Sequence, residues 1–268
     1  MGGGSGGEEP PATDPTTGSA SESWLELPAM RSDGDYADAV EIKVGNHNYT
    51  TLYDPSRYTS MWVAYELEAS HMGSLGALSK WYYNPAIDTS LQVNICDSSY
   101  NGYSRGHLIP KASRDAESTM LKETYYVTNS VPQIQNSFNS GVWSSLENAL
   151  QSRAQSQKLY IVTGVAFNKV GETKSITYTT AKDDTTKSIP VPNYFYKVVL
   201  RVTTNSSGTV TSASTIGFWF EHKTYTDSYT NYAVSVDQIE AWTGFDFFVN
   251  LPDTIEAGAE QNNSWATF

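Results

Sequence analysis

Cysteine is nearly absent from this chain of 268 residues: Cys96 stands alone, which excludes an intramolecular disulfide and any disulfide-stapled scaffold. Long apolar runs are missing too. No stretch of about 18 apolar residues occurs, so no membrane-spanning helix is expected, and the first twenty residues lack the cationic-then-apolar layout of a signal peptide. Charged residues are sparse at 17%, and their balance is acidic, with a net charge of −12. Phosphate binding is driven by cationic side chains, so that balance speaks at first against a polyanionic partner. The distribution reopens the question. Residues 1–40 hold eight acids (Glu8, Glu9, Asp14, Glu22, Glu26, Asp33, Asp35, Asp38) against Arg31, residues 237–268 hold six acids and no Lys or Arg, and between them sixteen cations face fifteen acids. A near-neutral body leaves room for a basic groove. Histidine is scarce as well, with four in the chain, so chemistry near neutral pH has few proton carriers to recruit.

What is present is aromatic and polar. Aromatics make up 13% of the chain, and Ser, Thr, Asn and Tyr abound, a composition that fits an exported bacterial protein: extracellular, cell-surface or periplasmic. Met1 to about Ala20 is Gly, Ser, Pro, Thr and Glu without aliphatic periodicity, which reads as a linker. Behind an export or lipid-anchoring signal, absent from this chain, such a tether would hold a domain off a bacterial surface. The expected organisation is therefore an acidic Gly/Ser/Pro-rich linker and lead-in over residues 1–40, then one domain over 41–268. Strands are expected at Tyr49 to Tyr53, Trp62 to Leu67, Lys158 to Thr163, Tyr194 to Val202 and Thr215 to Phe220. Val142, Leu146, Ala149 and Leu150 repeat at helical spacing and predict a helix from about Gly141 to Ala154, with Asn139 and Ser140 as N-cap candidates. A second helix is expected from Ser235 to Trp242, stopping at Gly244. Strands outnumber helices without strict alternation, which points to an α+β fold. Cys96 and the stripes Gly217 to Phe220 and Phe245 to Phe248 read as core.

Among the histidines, His107 has the company that chemistry needs. It sits in Gly102-Tyr103-Ser104-Arg105-Gly106-His107-Leu108-Ile109-Pro110. On an extended segment, Arg105 and His107 project to the same side, placing one base and one cation over one volume. His47, His71 and His222 lack such neighbours. Further on come Asn129-Ser130-Val131-Pro132-Gln133 and then Phe138-Asn139-Ser140-Gly141-Val142-Trp143-Ser144-Ser145-Leu146-Glu147. If Asn139 and Glu147 share a helix, their spacing advances about two turns and lets an amide oxygen and a carboxylate border one site, oxygen ligands that suit Mg²⁺. The plainer alternative is that Asn139 caps the helix and Glu147 is a solvated surface acid.

These segments resemble the DNA/RNA non-specific endonuclease family, the ββα-metal nucleases that include Serratia nuclease and endonuclease G. The family signature is Arg-Gly-His, then Asn-x-x-Pro-Gln, then Asn-x-Gly-x-Trp-x-x-Leu-Glu, which stand here as Arg105 to His107, Asn129 to Gln133, and Asn139 to Glu147. The likeness runs on through Trp62 to Tyr65, Val162 to Gly164, Val191-Pro192, Phe195 to Lys197, Val236 to Glu240, Thr243 to Phe248 and Leu251 to Asp253. It implies a ββα-metal (His-Me finger) fold with a mostly antiparallel central sheet flanked by helices. It also implies a metal-dependent phosphodiesterase acting on DNA and RNA with little sequence preference and leaving 5′-phosphate ends. By the same resemblance His107 is the general base, Asn139 the direct ligand of one Mg²⁺ (Mn²⁺ substituting), Glu147 a ligand through water, Arg105 the phosphate contact and Asn129 an orienting residue. Two positions depart from the family. Ser104 stands where an Asp often precedes Arg-Gly-His, and Lys80, in Ser79-Lys80-Trp81-Tyr82-Tyr83-Asn84-Pro85, stands near where some members carry a phosphate-binding Arg. A homodimer stays open, and the alternative reading is a catalytically inactive nuclease-like surface module that binds glycan or another polymer.

Overall fold

Strands that are apolar at nearly every position must be covered on both faces, and the chain places two such strands at the centre of its main sheet. The computed structural model describes residues 24–31 and 33–268, so the expected linker at 1–20 lies outside the described residues. In chain order the strands are β1 (Val40–Val44), β2 (Tyr49–Asp54), β3 (Thr59–Leu67), β4 (Ser104–His107), β5 (Ser130–Gln133), β6 (Leu159–Ala166), β7 (Thr177–Thr179), β8 (Ile189–Val191), β9 (Tyr194–Thr204), β10 (Val210–Glu221) and β11 (Ala233–Val234). The helices are α1 (Ser118–Thr124), α2 (Ser144–Ala154), α3 (Val236–Thr243) and α4 (Asp253–Ala259). Seven strands form one sheet in the order β1-β2-β3-β6-β9-β10-β11, and every neighbouring pair is antiparallel.

All eight residues of β6 are buried, as are all but Glu66 in β3. Alternation then sorts their side chains into two cores. Val63, Tyr65, Ile161, Phe195 and Val199 meet Val142, Trp143, Leu146 and Leu150 on one face, while Trp62, Ala64, Tyr160, Val162, Tyr196 and Val198 meet Val236, Ile239, Phe245, Phe247 and Phe248 on the other. Helices thus flank an antiparallel sheet, the expected α+β arrangement. Among the described residues no helix is long and apolar enough to cross a membrane.

The helix around Val236 forms as its sequence directs. Ser235 accepts a hydrogen bond from the Gln238 amide at 3.2 Å, and Gly244 ends the helix in the left-handed region at φ 72°, where glycine carries no Cβ penalty. Residues 24–28 of the lead-in are part of the packed body. Trp24, Leu25 and Leu27 are buried in the second core. A third cluster, around Trp81, Val93, Ile95, Tyr100, Leu121, Tyr125 and Val127, lies outside the main sheet and supports the hairpin described next. Cys96 is half-buried at its edge, more open than the buried core position expected of it.

Candidate active site

Four residues of β4 pair with four of β5: Ser104 with Gln133, Arg105 with Pro132, Gly106 with Val131 and His107 with Ser130. Gly106 is required by a close approach, since a Cβ built there would stand 2.7 Å from the Gln133 Cβ. Arg105 and His107 follow the two-residue alternation. The Arg105 guanidinium donates to the carbonyls of Ile95 (2.9 Å) and Cys96 (3.3 Å) and lies 5.5 Å from the centre of the Trp81 ring. The same indole covers His107 at 4.4 Å, and Tyr125 meets the imidazole edge-on at 5.0 Å.

This aromatic enclosure sets the state of His107. Burial first, then the nearby charges of Arg105 and Lys111, push its pKa down to about 3, so the imidazole is neutral near pH 7. Its Nε2 is buried and has no hydrogen-bond partner among the described residues, which leaves Nδ1 as the nitrogen able to take a proton from outside.

Behind the hairpin, Asn129 is fully buried and spends its amide on backbone. Its Oδ1 accepts from the Ile109 N–H at 3.0 Å, and its Nδ2 donates to the carbonyls of Ile109 (3.0 Å) and Thr124 (2.7 Å). Its own carbonyl accepts from the Leu108 N–H at 3.0 Å, directly after His107. Asn129 therefore fixes the chain behind the imidazole without facing the opening.

The segment after β5 departs from the helix expected to begin at Gly141. Gln135–Trp143 is a wide, irregular turn with Ser137 at φ 64° and Gly141 at φ −129°, ψ −113°, and α2 begins at Ser144. Asn139 does not cap that helix, so the two-turn spacing argument for Asn139 and Glu147 does not hold. A contact to β4 decides its orientation instead: its Nδ2 donates to Gln135 Oε1 at 3.1 Å and to Ser104 Oγ at 3.4 Å. Its Oδ1 has no hydrogen bond among the described residues and can offer lone pairs to a cation. Ser104 Oγ also donates to the Gln133 carbonyl at 2.8 Å, tying strand, hairpin partner and turn together. His222, passed over in the sequence, holds the start of the turn. Its Nε2 accepts from the Ile134 N–H at 2.8 Å while its Nδ1 donates to the Pro192 carbonyl at 2.9 Å.

Glu147 lies on the first turn of α2 and faces the sheet, its side chain 14% exposed and its Oε1 3.7 Å from Nζ of the fully buried Lys197. It is thus no solvated surface acid. Lys197 donates to Thr163 Oγ1 at 2.7 Å and its ammonium stands 4.5 Å from the centre of the Trp143 ring. Burial pushes the Glu147 carboxyl up and the Lys197 ammonium down, each shift partly offset by the other's charge. Lys197 was the partner the sequence reading missed, and the available signal was one cation inside the apolar run Tyr194 to Leu200. Gln133 was missed too. It is fully buried, with both amide atoms unpartnered among the described residues. Lys80 sits apart from this packing, mostly exposed and paired with Asp97 at 2.9 Å, one residue before the indole that covers His107.

Arg105 and His107 thus share β4, the Asn139–Ser104 contact ties the turn to that strand, Asn129 braces from behind, and Glu147 stands on α2 against Lys197. Neutral imidazole, guanidinium, free amide oxygen and buried carboxylate suit hydrolysis of an anionic ester assisted by a hard cation.

Comparison with known proteins places this arrangement in a class. A chain in a crystal structure of the EndoG/EndoGI complex matches with a TM-score of 0.68 and 18% identity, over 85% of this chain and 90% of that one. That likeness shows the ββα-metal nuclease fold. A family model described as DNA/RNA non-specific endonuclease matches residues 37–254, and the chain belongs to that family of nucleases. Relatives include a nuclease of Nostoc sp., 26% identical over 80% of this chain and 76% of its own length. The nuclease of Serratia marcescens is 26% identical over 81% and 78%, and mitochondrial endonuclease G of Bos taurus is 24% identical over 57% and 52%.

Proposed function

We propose that this nuclease is a metal-dependent, sugar-non-specific endonuclease that hydrolyses phosphodiester bonds of both DNA and RNA and leaves 5′-phosphate ends. The observation that carries the reading is the pairing of a neutral His107 with an Asn139 whose amide nitrogen is held by Ser104 and Gln135, so that its oxygen is free. Asn139 would hold one Mg²⁺, or Mn²⁺ in its place, directly, and Glu147 through water. When bound, the ion offsets charge developing on the leaving 3′-oxygen without a proton transfer.

The remaining work falls to the chain. Arg105, with its Nη1 anchored on two carbonyls and its charge intact, contacts the phosphate and holds it beside the imidazole. His107 Nδ1 takes the proton of the attacking water. An approaching phosphate adds negative charge next to Arg105 and Lys111, the two cations that depress the imidazole, so base strength rises as substrate binds. Neither DNA nor RNA is favoured by any residue named here, in keeping with recognition through phosphate rather than base edges. An exported, tethered setting fits the Ser/Thr/Asn/Tyr-rich composition and the Gly/Ser/Pro-rich start of the chain.

Incubation with plasmid DNA and with RNA, with and without EDTA, tests the reading. End-labelling of the products reports the position of the phosphate. His107→Ala should lower the rate by about 10²–10⁴-fold with the fold intact, the usual worth of a general base. Wild-type turnover in a folded His107→Ala protein would refute the assignment, and binding of polymer without cleavage in the wild type would favour the inactive-module alternative.

A further inference from the structure

We propose that Asp237, Glu240 and Glu260, at the junction of α3 and α4 and distinct from the nuclease site, form a binding site for a hard divalent cation of the calcium class. Asp237 and Glu240 lie on the first turns of α3, and Glu260 directly follows α4. One ligand oxygen from each lies within 4.8 Å of the others. Oxygens on opposite sides of a bound Ca²⁺ stand up to about 5 Å apart, twice a bond of about 2.3–2.6 Å, and Ca²⁺ tolerates irregular geometry of carboxylates from separate elements.

Geometry alone would make this one more acidic cluster; the state of Glu260 makes it a site. Its residue surface is 6% exposed, yet its Oε1 has no hydrogen-bond partner among the described residues. Glu256 adds a second buried carboxylate oxygen without a partner among the described residues. A buried polar atom left unpaired is costly and calls for a ligand. No lysine or arginine neutralises it: none of the six acids of residues 237–268 forms an ion pair among the described residues, and that stretch holds neither cation. Burial and mutual repulsion hold Glu240 up to about 7, Glu256 to about 8 and Glu260 to about 9. Backbone hydrogen bonds preset the arrangement, because the Glu260 carbonyl accepts from the Val236 N–H at 3.0 Å and the Asp237 N–H at 3.5 Å. The Phe247 N–H holds one Glu240 oxygen at 2.8 Å and leaves the other for the ion. A second cluster, Glu26, His47 and Glu66, already has internal neutralisation, since His47 pairs with Glu26 at 2.7 Å and Lys158 with Glu66 at 3.1 Å.

An ion here would clamp the end of α4 to α3, next to the point where Thr215 of β10 already donates to the Ala259 carbonyl at 2.8 Å. The test is thermal unfolding and calorimetric titration of the full chain with Ca²⁺ after treatment with EGTA. Wild-type protein and the Asn139→Ala variant should both gain roughly 5–10 °C in Tm at hundredfold excess over Kd. Glu260→Gln should lose that gain, and Asp237→Asn, changed at an exposed position, should bind at least tenfold more weakly. No gain in the wild type, a gain retained in full by Asp237→Asn and Glu260→Gln, or a gain lost only in Asn139→Ala would overturn the proposal.

Discussion

Replacing Lys197 by Met tests whether Glu147 is held by a buried charge or merely packed. Lys197 is fully buried, 3.7 Å from Glu147, and Met keeps the stem's apolar volume while removing the ammonium. Removing one partner of a buried pair strands the other charge, at a typical cost of about 3–5 kcal/mol. The Glu147 side chain is 14% exposed, so the lower end applies. For a chain of this size about 3 kcal/mol corresponds to a fall in Tm of roughly 6–12 °C. The pH dependence gives the sharper signature. Burial raises the folded pKa of Glu147 above its unfolded value, so the folded state binds more protons between the two values. That contribution is fully present below the unfolded pKa of about 4.3 and is lost as pH rises through the folded value. Without Lys197 the folded value climbs further, so the variant's deficit should grow from pH 5 to pH 7 in paired thermal melts. Glu147→Gln combined with Lys197→Met removes both charges and should recover most of the loss. A deficit equal at both pH values, or a double variant no more stable than Lys197→Met alone, would refute the reasoning.

Asn139→Ala should lose metal-dependent cleavage more severely than Glu147→Ala, because it removes the direct ligand; Mg²⁺ titration of activity for both variants decides it. Deleting residues 1–20 should leave Tm and cleavage nearly unchanged, whereas extending the deletion through Leu27 removes Trp24, Leu25 and Leu27 from the second core and should lower Tm by at least about 4 °C in calorimetry. Lys80→Ala should raise KM more than it lowers kcat. It should also reduce the slope of log K against log salt by about 0.9, one duplex phosphate contact; an unchanged slope would show that Asp97 keeps this ammonium from the substrate.

The sheet was legible because its central strands are apolar at consecutive positions, a pattern that depends on no distant residue. Arg105 and His107 were legible for a similar reason, since extended backbone puts alternate side chains on one side. The turn at Gln135–Trp143 was not. Helical spacing in Val142, Leu146 and Leu150 says where a helix can run, but its start was decided by the positive φ of Ser137 and by contacts of Asn139 and Ile134 with Ser104 and His222, far away in sequence. Lys197 was hidden by the same limit. A lone cation in an apolar strand signals a buried partner, but identifying Glu147 requires knowing which face of α2 meets the sheet. Trp24 to Leu27 escaped because a four-residue patch inside a polar lead-in is too short to show a period.

The departure at Ser104 shows how a chain can change a motif residue and keep its geometry. A carboxylate at this position could only accept hydrogen bonds, whereas a hydroxyl can accept and donate at once. Ser104 uses both capacities, accepting from Asn139 Nδ2 at 3.4 Å and donating to the Gln133 carbonyl at 2.8 Å. The donation is one an ionised Asp could not make, and it anchors the hydroxyl to the strand that pairs with His107's own. The orientation of the Asn139 oxygen thereby becomes mechanically linked to the hairpin that carries the base. Substitution of Ser104 by Ala would break that link without touching either His107 or Asn139, so its effect on cleavage reports how much of the site's geometry passes through one hydroxyl.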